Sequence, residues 1–263
     1  MKTIVILNLK GGVGKTTTAT NLAYEFSAMG ASTLLIDADK QGNSTEFYGI
    51  HDFKYGLGDV LTAKTAADAC ALHSVCKALS PSGKPYPHLS VLPSDYRLMK
   101  SNISLLLDTS SGRDKRLRRY LETSEGTIEI CVVDCAPDID MASINALMAA
   151  DLAIVPITLD KNARKGLSEV WEQIDAAKQE NPKLQAYALI TRYRPDQAAK
   201  ATDVTDLDLL GTAIRESTQK VENGNDAGTP LSVYSRWSNA ARDFRALADE
   251  ILEVLDYEIP LLE

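Results

Sequence analysis

Short apolar runs alternate along the chain with longer segments in which apolar residues recur every three or four positions. Runs of this length are typical of buried parallel strands, and the recurring pattern is typical of amphipathic helices. The helical pattern is clearest after residue 15, after residue 163 and from Asn239 onward, and shorter helical fragments are predicted around residues 57–61 and 66–79. We therefore predict an α/β fold, with strands at residues 4–7, 33–36, 128–134, 152–157, 187–191 and 209–214.

A glycine-rich segment, K-G-G-V-G-K-T-T at residues 10–17, joins the first predicted strand to the first helix. Glycines at such a junction let backbone N–H groups turn toward a phosphate, and the helix N-terminus adds positive potential. Lys15 would reach the β- and γ-phosphates, and the Thr16 hydroxyl would ligate Mg²⁺. The segment predicts a nucleotide site whose other candidates are Gly11, Gly12, Val13, Gly14 and Thr17.

Acidic residues follow two of the predicted strands. Asp37 and Asp39 come after residues 33–36, and Asp134 ends the strand at residues 128–134. Taken alone, such residues are ordinary in turns. Ligands of open α/β sheets, however, bind at the carboxyl ends of strands. Beside a phosphate loop we interpret Asp37 and Asp134 as the carboxylates on the Mg²⁺ side of the site.

Four segments, in this order, resemble the ParA/MinD family of ATPases. They are the loop at residues 10–17, D-A-D-K-Q-G-N at 37–43, D-C-A-P at 134–137 and S-I-N-A-L at 143–147. The resemblance covers most of the chain. It implies a P-loop NTPase fold, a doubly wound and mostly parallel twisted sheet with helices on both faces, and ATP with Mg²⁺ as ligands. We expect one such domain over residues 1–263.

The resemblance also implies roles for particular residues. In this family the early lysine of the loop, here Lys10, contacts nucleotide across a dimer interface. The second aspartate of the D-x-D segment, here Asp39, positions or activates the attacking water. Lys10, Lys15 and Asp39 are therefore the catalytic candidates. Arg215 and Glu216 lie where the family closes on the adenine base.

Three residues of this chain differ from the phosphate-loop pattern and from the family motifs on which these expectations depend. Leu9 stands where the general phosphate-loop pattern has its first glycine. Lys40 and Ala136 stand where the family usually has proline. The change at Lys40 loosens the turn after Asp39 but keeps both carboxylates.

Composition narrows the setting in which the protein works. The chain has 263 residues, of which 44% are hydrophobic and 24% charged, as in ordinary globular proteins. No apolar stretch approaches the ~20 residues of a membrane span, and the N-terminal run is too short for a signal peptide. The cysteines and histidines lack metal-site spacing. We expect a cytoplasmic protein without a stable membrane anchor.

The function implied by the resemblance is DNA partition. ATP would join two subunits, the homodimer would bind non-specific DNA on the nucleoid, and a ParB-like centromere-binding protein would stimulate hydrolysis. A net charge of −8 requires the DNA-binding cations to share one surface, because phosphate contacts supply most non-specific affinity. The candidates are Arg192, Arg194, Arg215, Lys220, Arg236, Arg242 and Arg245. The basic run at residues 113–119 is interpreted as a solvated helix face.

Other functions stay open. A MinD-like ATPase that cycles on membranes needs a basic amphipathic C-terminal helix, whereas residues 256–263 are acidic. An amide-forming ligase of the same superfamily needs a pocket for a carboxylate substrate. A nitrogenase-type reductase needs cysteines that bridge two subunits around a cluster. A nucleotide-dependent scaffold would bind ATP without useful turnover.

Overall fold

The computed structural model describes residues 1–124, 126–160, 167–197 and 207–260. Its strands are β1 (Lys2–Ile6), β2 (Thr33–Ala38), β3 (Cys76–Leu79), β4 (Pro85–Leu92), β5 (Ile130–Cys135), β6 (Leu152–Thr158) and β7 (Gln185–Thr191). These seven strands form one sheet in the order β3-β4-β2-β5-β1-β6-β7. All neighbours run parallel except β3 and β4, which pair antiparallel at one edge.

Helices cover both faces of this sheet, because strand residues alternate between the faces and both sets are apolar. The helices are α1 (Lys15–Ala28), α2 (Asn43–Phe47), α3 (Leu57–Thr62), α4 (Ala66–Ala71), α5 (Arg97–Leu107), α6 (Arg116–Glu122), α7 (Met141–Ala149), α8 (Leu167–Glu180), α9 (Thr218–Asp226), α10 (Leu231–Tyr234) and α11 (Asn239–Val254). A single 3-10 turn is described at Pro195–Gln197. The arrangement confirms the predicted doubly wound, mostly parallel sheet.

Alternate residues of β1 mark the two faces. Val5 packs in the core beneath α3 to α8, and Ile4 packs in the core beneath α1 and α11. Phe26 of α1 and Phe244 of α11 are fully buried in this second core, as their helical spacing predicts. Within the described residues, no helix combines the length and the apolar content required to cross a bilayer.

Helix α1 is bounded by a glycine at each end. Gly14 precedes it in the left-handed region, with φ 91°, and its carbonyl accepts the first helical hydrogen bond from Thr18 N at 2.9 Å. Gly30, with φ 98°, follows its last turn and donates to the Ser27 carbonyl at 3.0 Å. Glycine fits both positions because it adopts positive φ without steric cost.

Residues 66–79, predicted to be helical, are only partly so. Helix α4 stops at Ala71, His73 takes a left-handed φ of 49°, and the chain then forms β3. A residue in that conformation ends the helical hydrogen-bond series. Ser80 then donates its N–H to the Lys84 carbonyl at 2.8 Å, which turns β3 back onto β4. Pairing with β4, a contact between separate segments, overrides the local helical pattern.

Residues 209–214 form no strand, contrary to the prediction. They run beside β7 with one isolated parallel bridge, Leu209 with Ala188, and Ile214 N donates to the Ile190 carbonyl at 2.8 Å. A second bridge, Arg215 with Tyr193, lies just beyond both segments. The hydrogen bonds between these bridges do not form a continuous ladder, so the segment is an edge connection. The predicted start of the helix at residue 163 lies outside the described residues.

The basic run at residues 113–119 is less solvated than predicted. Arg113 donates to carbonyls at the end of α5, and Lys115 pairs with Glu180 at 2.9 Å. Arg116 pairs with Asp108, and Arg118 pairs with Glu122 at 3.1 Å. Helix α6 begins only at Arg116. The run therefore joins α5, α6 and α8 in addition to facing water.

The turn after β2 gives a stability prediction. Gly42 has φ 68°, and a Cβ there would lie 2.8 Å from the backbone oxygen of Ser94. Gly83 has φ 76° with no atom within 4 Å of its added Cβ, so it is a matched control for the conformation alone. We expect Gly83→Ala to cost about 1 kcal/mol and Gly42→Ala about 3 kcal/mol, since only Gly42 adds a backbone clash. Urea unfolding checks this, and equal losses would contradict it.

Candidate nucleotide and metal site

The carboxyl ends of the central strands bring the predicted site residues to one edge of the sheet. Asp37 on β2 is directly in register with Asp134 on β5, and Asp134 is in register with Ile6, just before the glycine-rich loop. Both carboxylates are fully buried. The parallel sheet therefore assembles, from three separate segments, the acidic pair and the loop that the sequence predicts.

The loop at residues 10–17 is held from both sides by polar side chains. Asn8 donates to the Pro156 carbonyl at 2.7 Å and accepts from Lys10 N at 2.9 Å. Thr191, at the end of β7, donates to the Val13 carbonyl at 2.8 Å. No heavy atom lies within 4 Å of a Cβ added at Gly11 or Gly12, which leaves the loop backbone open to a phosphate.

Lys15 begins α1 and points back along the loop. Its Nζ donates to the Lys10 carbonyl at 3.1 Å. Burial lowers the pKa of Lys15, while the nearby Asp134, Cys135 and Asp39 oppose that change. A cation held inside the loop and surrounded by acids is placed to exchange this carbonyl for a phosphate oxygen.

Lys10 has a different set of partners. Its Nζ lies 2.6 Å from a carboxylate oxygen of Asp160 and 3.4 Å from the Thr158 hydroxyl. Thr158 is the last residue of β6, and Asp160 lies two residues beyond it. The two charged side chains are partly exposed, at 31% and 50%, so this ion pair is weak and easily exchanged. Lys10 therefore points away from the Lys15 side of its own loop.

Asp134 has the features of a metal carboxylate. One oxygen accepts from the Ser44 hydroxyl at 2.6 Å, whereas Oδ1 is buried without a hydrogen-bond partner of ordinary geometry among the described residues. Burial raises the pKa of Asp134 to about 6, and the Ser44 and Thr16 hydroxyls oppose that rise. An unpaired carboxylate oxygen beside a hydroxyl is the hard oxygen-donor chemistry that Mg²⁺ prefers. The residues fit a magnesium ion held by Thr16 and Asp134.

Asp37 is bound to the segment that follows it. Its Oδ2 accepts from the Thr45 N–H at 2.8 Å and the Thr45 hydroxyl at 2.7 Å, and its Oδ1 accepts from Asp39 N at 3.1 Å. Burial, together with the charge of Asp134, raises its pKa to about 8. These contacts make Asp37 a support for the D-x-D turn. Its predicted contact with Mg²⁺ stays a prediction.

Asp39 is nearly buried at the start of the same turn. One carboxylate oxygen accepts from Gln41 N at 2.9 Å, and its carbonyl accepts from Gly42 N at 3.0 Å. Lys40, which replaces the usual proline, is exposed and leaves this turn closed. The carboxylate lies close enough to Lys15 and Asp134 to affect the pKa values of both groups. Its action on water stays a prediction.

Two clefts open beside the loop. One, of ≈ 690 Å³, extends from Thr16 between α2 and the end of α9, and Asn43 and Glu46 line it. The other, of ≈ 60 Å³, lies between Gly14 and Thr17 on one side and Arg215 and Glu216 on the other. The structure thus brings the two residues predicted near the adenine to the α1 side of the loop. Arg215 is held there by Asp243, whose carboxylate contacts its guanidinium at 2.5 Å.

The predicted DNA-binding cations differ in their surroundings. Arg192, Lys220, Arg236 and Arg242 are exposed, and Arg192 also lines the small cleft beside the loop. Arg194 lies 3.6 Å from Glu216, and Arg215 pairs with Asp243. Arg245 is half-buried and donates to the Ser232 hydroxyl at 2.8 Å and to the Arg236 carbonyl at 3.0 Å.

The sequence did not predict the side chains that hydrogen-bond to or form ion pairs with the predicted site residues. Ser44 and Thr45 lie in α2, and each donates its hydroxyl to one of the two buried aspartates. Asp160 holds Lys10, and Asp243 holds Arg215. The sequence offers no spacing signal for these partners, because each contact joins segments that are distant along the chain or in different elements.

Comparison with known proteins identifies the family. A family model described as an AAA domain matches residues 1–186. The cell division protein PomZ of Myxococcus xanthus is 31% identical over 94% of this chain and 77% of its own length. The chromosome partitioning protein ParA of Caulobacter vibrioides is 30% identical over 96% of this chain and 94% of its own length. The chain belongs to the ParA/MinD family of ATPases.

A solved structure supports the fold of this ParA/MinD-type chain. A protein described as cobyrinic acid a,c-diamide synthase from Mycobacterium smegmatis, with a bound ATP analogue and magnesium, superposes with a TM-score of 0.80. The two chains are 26% identical, and the alignment covers 96% of this chain and 94% of the other. The predicted P-loop NTPase fold is therefore confirmed.

The buried carboxylate of Asp134 gives a pH prediction for the ParA/MinD-type site. Because its folded pKa of about 6 exceeds the ordinary 3.8, the folded state holds the proton more tightly than the unfolded state. This contribution to stability is complete below about pH 4 and is lost as the pH rises through about 6. Without Mg²⁺ or nucleotide, we expect Asp134→Asn to raise the free energy of unfolding at pH 8 by on the order of 2 kcal/mol.

Urea unfolding at pH 5 and pH 8 measures this difference. The exposed Asp52→Asn is the control, because it removes the same charge from a solvated position. A gain from Asp134→Asn that is the same at both pH values would contradict the assignment.

Proposed function

We propose that this chain is an ATP-dependent DNA-partition ATPase whose ATP-bound homodimer binds DNA non-specifically. The observation that carries this proposal is the loop itself, in which Lys15 points into the site while Lys10 points out of it toward Asp160. A second lysine that leaves its own phosphate site is available to the nucleotide of another subunit. The ParA relative of similar length supports a partition role.

The chain's own residues would bind the triphosphate of ATP from three directions. The backbone N–H groups of residues 11–16 and the Lys15 ammonium bind the phosphates, and Thr16 and Asp134 hold Mg²⁺. Mg²⁺, when bound, neutralises charge that develops between the β- and γ-oxygens. Arg215 and Glu216 border the cleft on the α1 side, where the nucleoside would extend.

Asp39 is the residue proposed to orient the attacking water. It begins a turn that Asp37, Thr45 and Gly42 hold, so a small movement of that turn shifts its carboxylate relative to Lys15. Phosphoryl transfer depends on positioning and charge stabilisation rather than on a covalent step with the protein. A ParB-like partner that tightens the turn would accelerate hydrolysis and release the dimer from DNA.

DNA is proposed to bind on the sheet face that carries α11. Arg242 is exposed on that helix, and Arg236 is exposed in the turn before it. Dimerisation doubles the number of cations that meet the duplex, which gives steep dependence on ATP and on salt. Arg245 supports the same surface indirectly, because its guanidinium donates a hydrogen bond to the Arg236 carbonyl.

An amide-forming ligase is the second candidate. The likeness to the protein described as a diamide synthase, 26% identical, favours keeping it. Such an enzyme would bind a carboxylate substrate beside the γ-phosphate, and the ≈ 690 Å³ cleft at Thr16 has the volume for one. ATPase that rises with DNA and a partner, but not with glutamine as nitrogen donor plus a polycarboxylate, supports partition. ATPase activity that rises with glutamine plus a polycarboxylate, but not with DNA and a partner, would support the ligase function instead.

Substitutions of the two loop lysines should cause different defects. Lys15→Ala should abolish ATP binding, because no other group in the loop supplies that charge to the phosphates. Lys10→Ala should keep monomer binding within about threefold but prevent ATP-dependent dimerisation, since its charge acts on the partner's nucleotide. Binding of a fluorescent ATP analogue and light scattering after size exclusion measure the two properties, in an Asp39→Ala background that slows turnover.

Asp160→Asn is the matched control for Lys10→Ala. It releases Lys10 from its ion pair without removing the lysine, so dimerisation should stay at the background level or increase. Dimerisation by the Lys10→Ala protein equal to that of its background would rule out the cross-subunit role.

Charge reversal tests the DNA surface. Arg236→Glu and Arg242→Glu should each weaken ATP-dependent DNA binding about tenfold at roughly 0.1 M salt, because each replaces a phosphate contact with repulsion. Arg118→Glu is the control, since α6 lies on the opposite sheet face from α11. DNA anisotropy with and without ATP checks this. Loss in the Arg118→Glu protein alone would move the DNA surface to the other face.

A further inference from the structure

Helix α5 is apolar on two opposite sides. Leu98 and Leu105 are buried on the side of α5 that packs against α3 and α7. Tyr96, just before the helix, and Met99, Ile103, Leu106 and Leu107 are each more than half exposed, and we call these five residues the α5 stripe. They make up five of the nine exposed large hydrophobic residues in the described part of the chain. The exposed apolar surface is thus concentrated on one short helix.

The α5 stripe is continuous along the helix. Successive residues of an α-helix are turned by about 100°, which places all five side chains within an arc of about 100° opposite Leu98 and Leu105. From Tyr96 to Leu107 the stripe is about 17 Å long at ~1.5 Å per residue. A contiguous exposed apolar patch bordered by polar residues marks an interaction surface. A patch of this shape matches about three turns of another helix.

The helix that carries the stripe is fixed in place. Asn102 accepts from Ala142 N at 2.9 Å and donates to Asp140 at 2.5 Å, which ties α5 to the start of α7. Gly58 of α3 approaches so closely that an added Cβ would lie 2.6 Å from the Ser101 hydroxyl. A rigid surface loses little conformational entropy when a partner covers it.

Unpaired cations lie at both ends of the α5 stripe and along one side of it. Lys54 at its N-terminal end, Lys100 beside it and Arg113 at its C-terminal end have no ion-pair partner among the described residues. The acids at the two ends of α5 are neutralised, Asp95 by Arg97 and Asp108 by Arg116. The rim is therefore cationic at both ends and on the Lys100 side, and Asp140 lies on the Asn102 side.

We propose that the α5 stripe is the docking surface for an amphipathic helix of a partner protein, with acidic residues flanking its apolar face. The apolar length selects a helix of about three turns, and the cationic rim selects carboxylates beside it. A second copy of this chain fits less well, because two-fold pairing of the stripe would bring cationic rim against cationic rim. The surface lies outside the ATP and proposed DNA sites, so this inference goes beyond the proposed function.

Two labelled synthetic helices test the proposal with the full-length protein. Both carry leucines at i, i+3, i+7 and i+10, and their flanking positions hold glutamates in one peptide and lysines in the other. Fluorescence anisotropy should show the glutamate peptide binding about tenfold more tightly than the lysine peptide. Equal affinity for the two, or no binding of either, overturns the proposal.

Variants of the protein then locate the binding surface. Ile103→Ser with Leu107→Ser should weaken binding of the glutamate peptide about tenfold by removing two of the five apolar contacts. Lys100→Glu should weaken the glutamate peptide and strengthen the lysine peptide, an exchange that a purely structural effect would not produce. Val233→Ser, at an exposed apolar position elsewhere, is the control and should change neither. Unchanged binding by the double variant overturns the proposal.

Two further measurements separate this partner from other occupants. Co-sedimentation with phosphatidylglycerol vesicles that the double variant loses would assign the stripe to a lipid surface instead. ATP-dependent dimerisation that the double variant loses would assign it to a second copy. We expect neither loss, and ATP hydrolysis and DNA binding should stay at the wild-type level. Failure of the DNA tests with intact peptide binding would leave this inference standing.

Discussion

The site depends on two buried carboxylates in register on adjacent strands. Asp37 and Asp134 meet across β2 and β5 at the carboxyl edge of the sheet, and burial raises the pKa values of both. The charge of Asp134 adds to the rise at Asp37, and the charge of Asp39 adds to the rise at Asp134. Two carboxylates in such a place are unfavourable unless donors and cations compensate for them. The hydroxyls of Ser44 and Thr45 and the ammonium of Lys15 are that compensation. The unsatisfied oxygen of Asp134 is what a metal ion would complete.

The same contacts make the edge of the sheet one connected unit. Thr45 joins Asp37 to α2 and also accepts the N–H of Ser94, which begins the connection to α5. Gly42 packs against the Ser94 carbonyl with no room for a side chain. Direct contacts therefore connect the phosphate site, the turn of Asp39 and the segment before α5. This connection is a physical basis for a nucleotide-dependent surface in a ParA/MinD-type ATPase.

Charge is distributed unevenly over the molecule. The chain is acidic overall, yet exposed cations lie near α11 and around α5, on opposite faces of the sheet. Several other basic side chains, including Lys115, Arg116 and Arg215, are paired with acids. Net charge thus says little about binding here, because the local field depends on which cations remain without a partner.

The sequence by itself determined the α/β class, the main parallel strands, the phosphate loop and the order of its acidic partners. These depend on local properties, namely apolar periodicity, glycine conformations and residue type at strand ends. Only the tertiary structure decided that Ser44 binds Asp134, that Asp160 holds Lys10, and that Arg245 is engaged while Arg242 is exposed. It also turned residues 76–79 from a predicted helix into a strand. Those outcomes depend on contacts between distant segments, which no local pattern encodes.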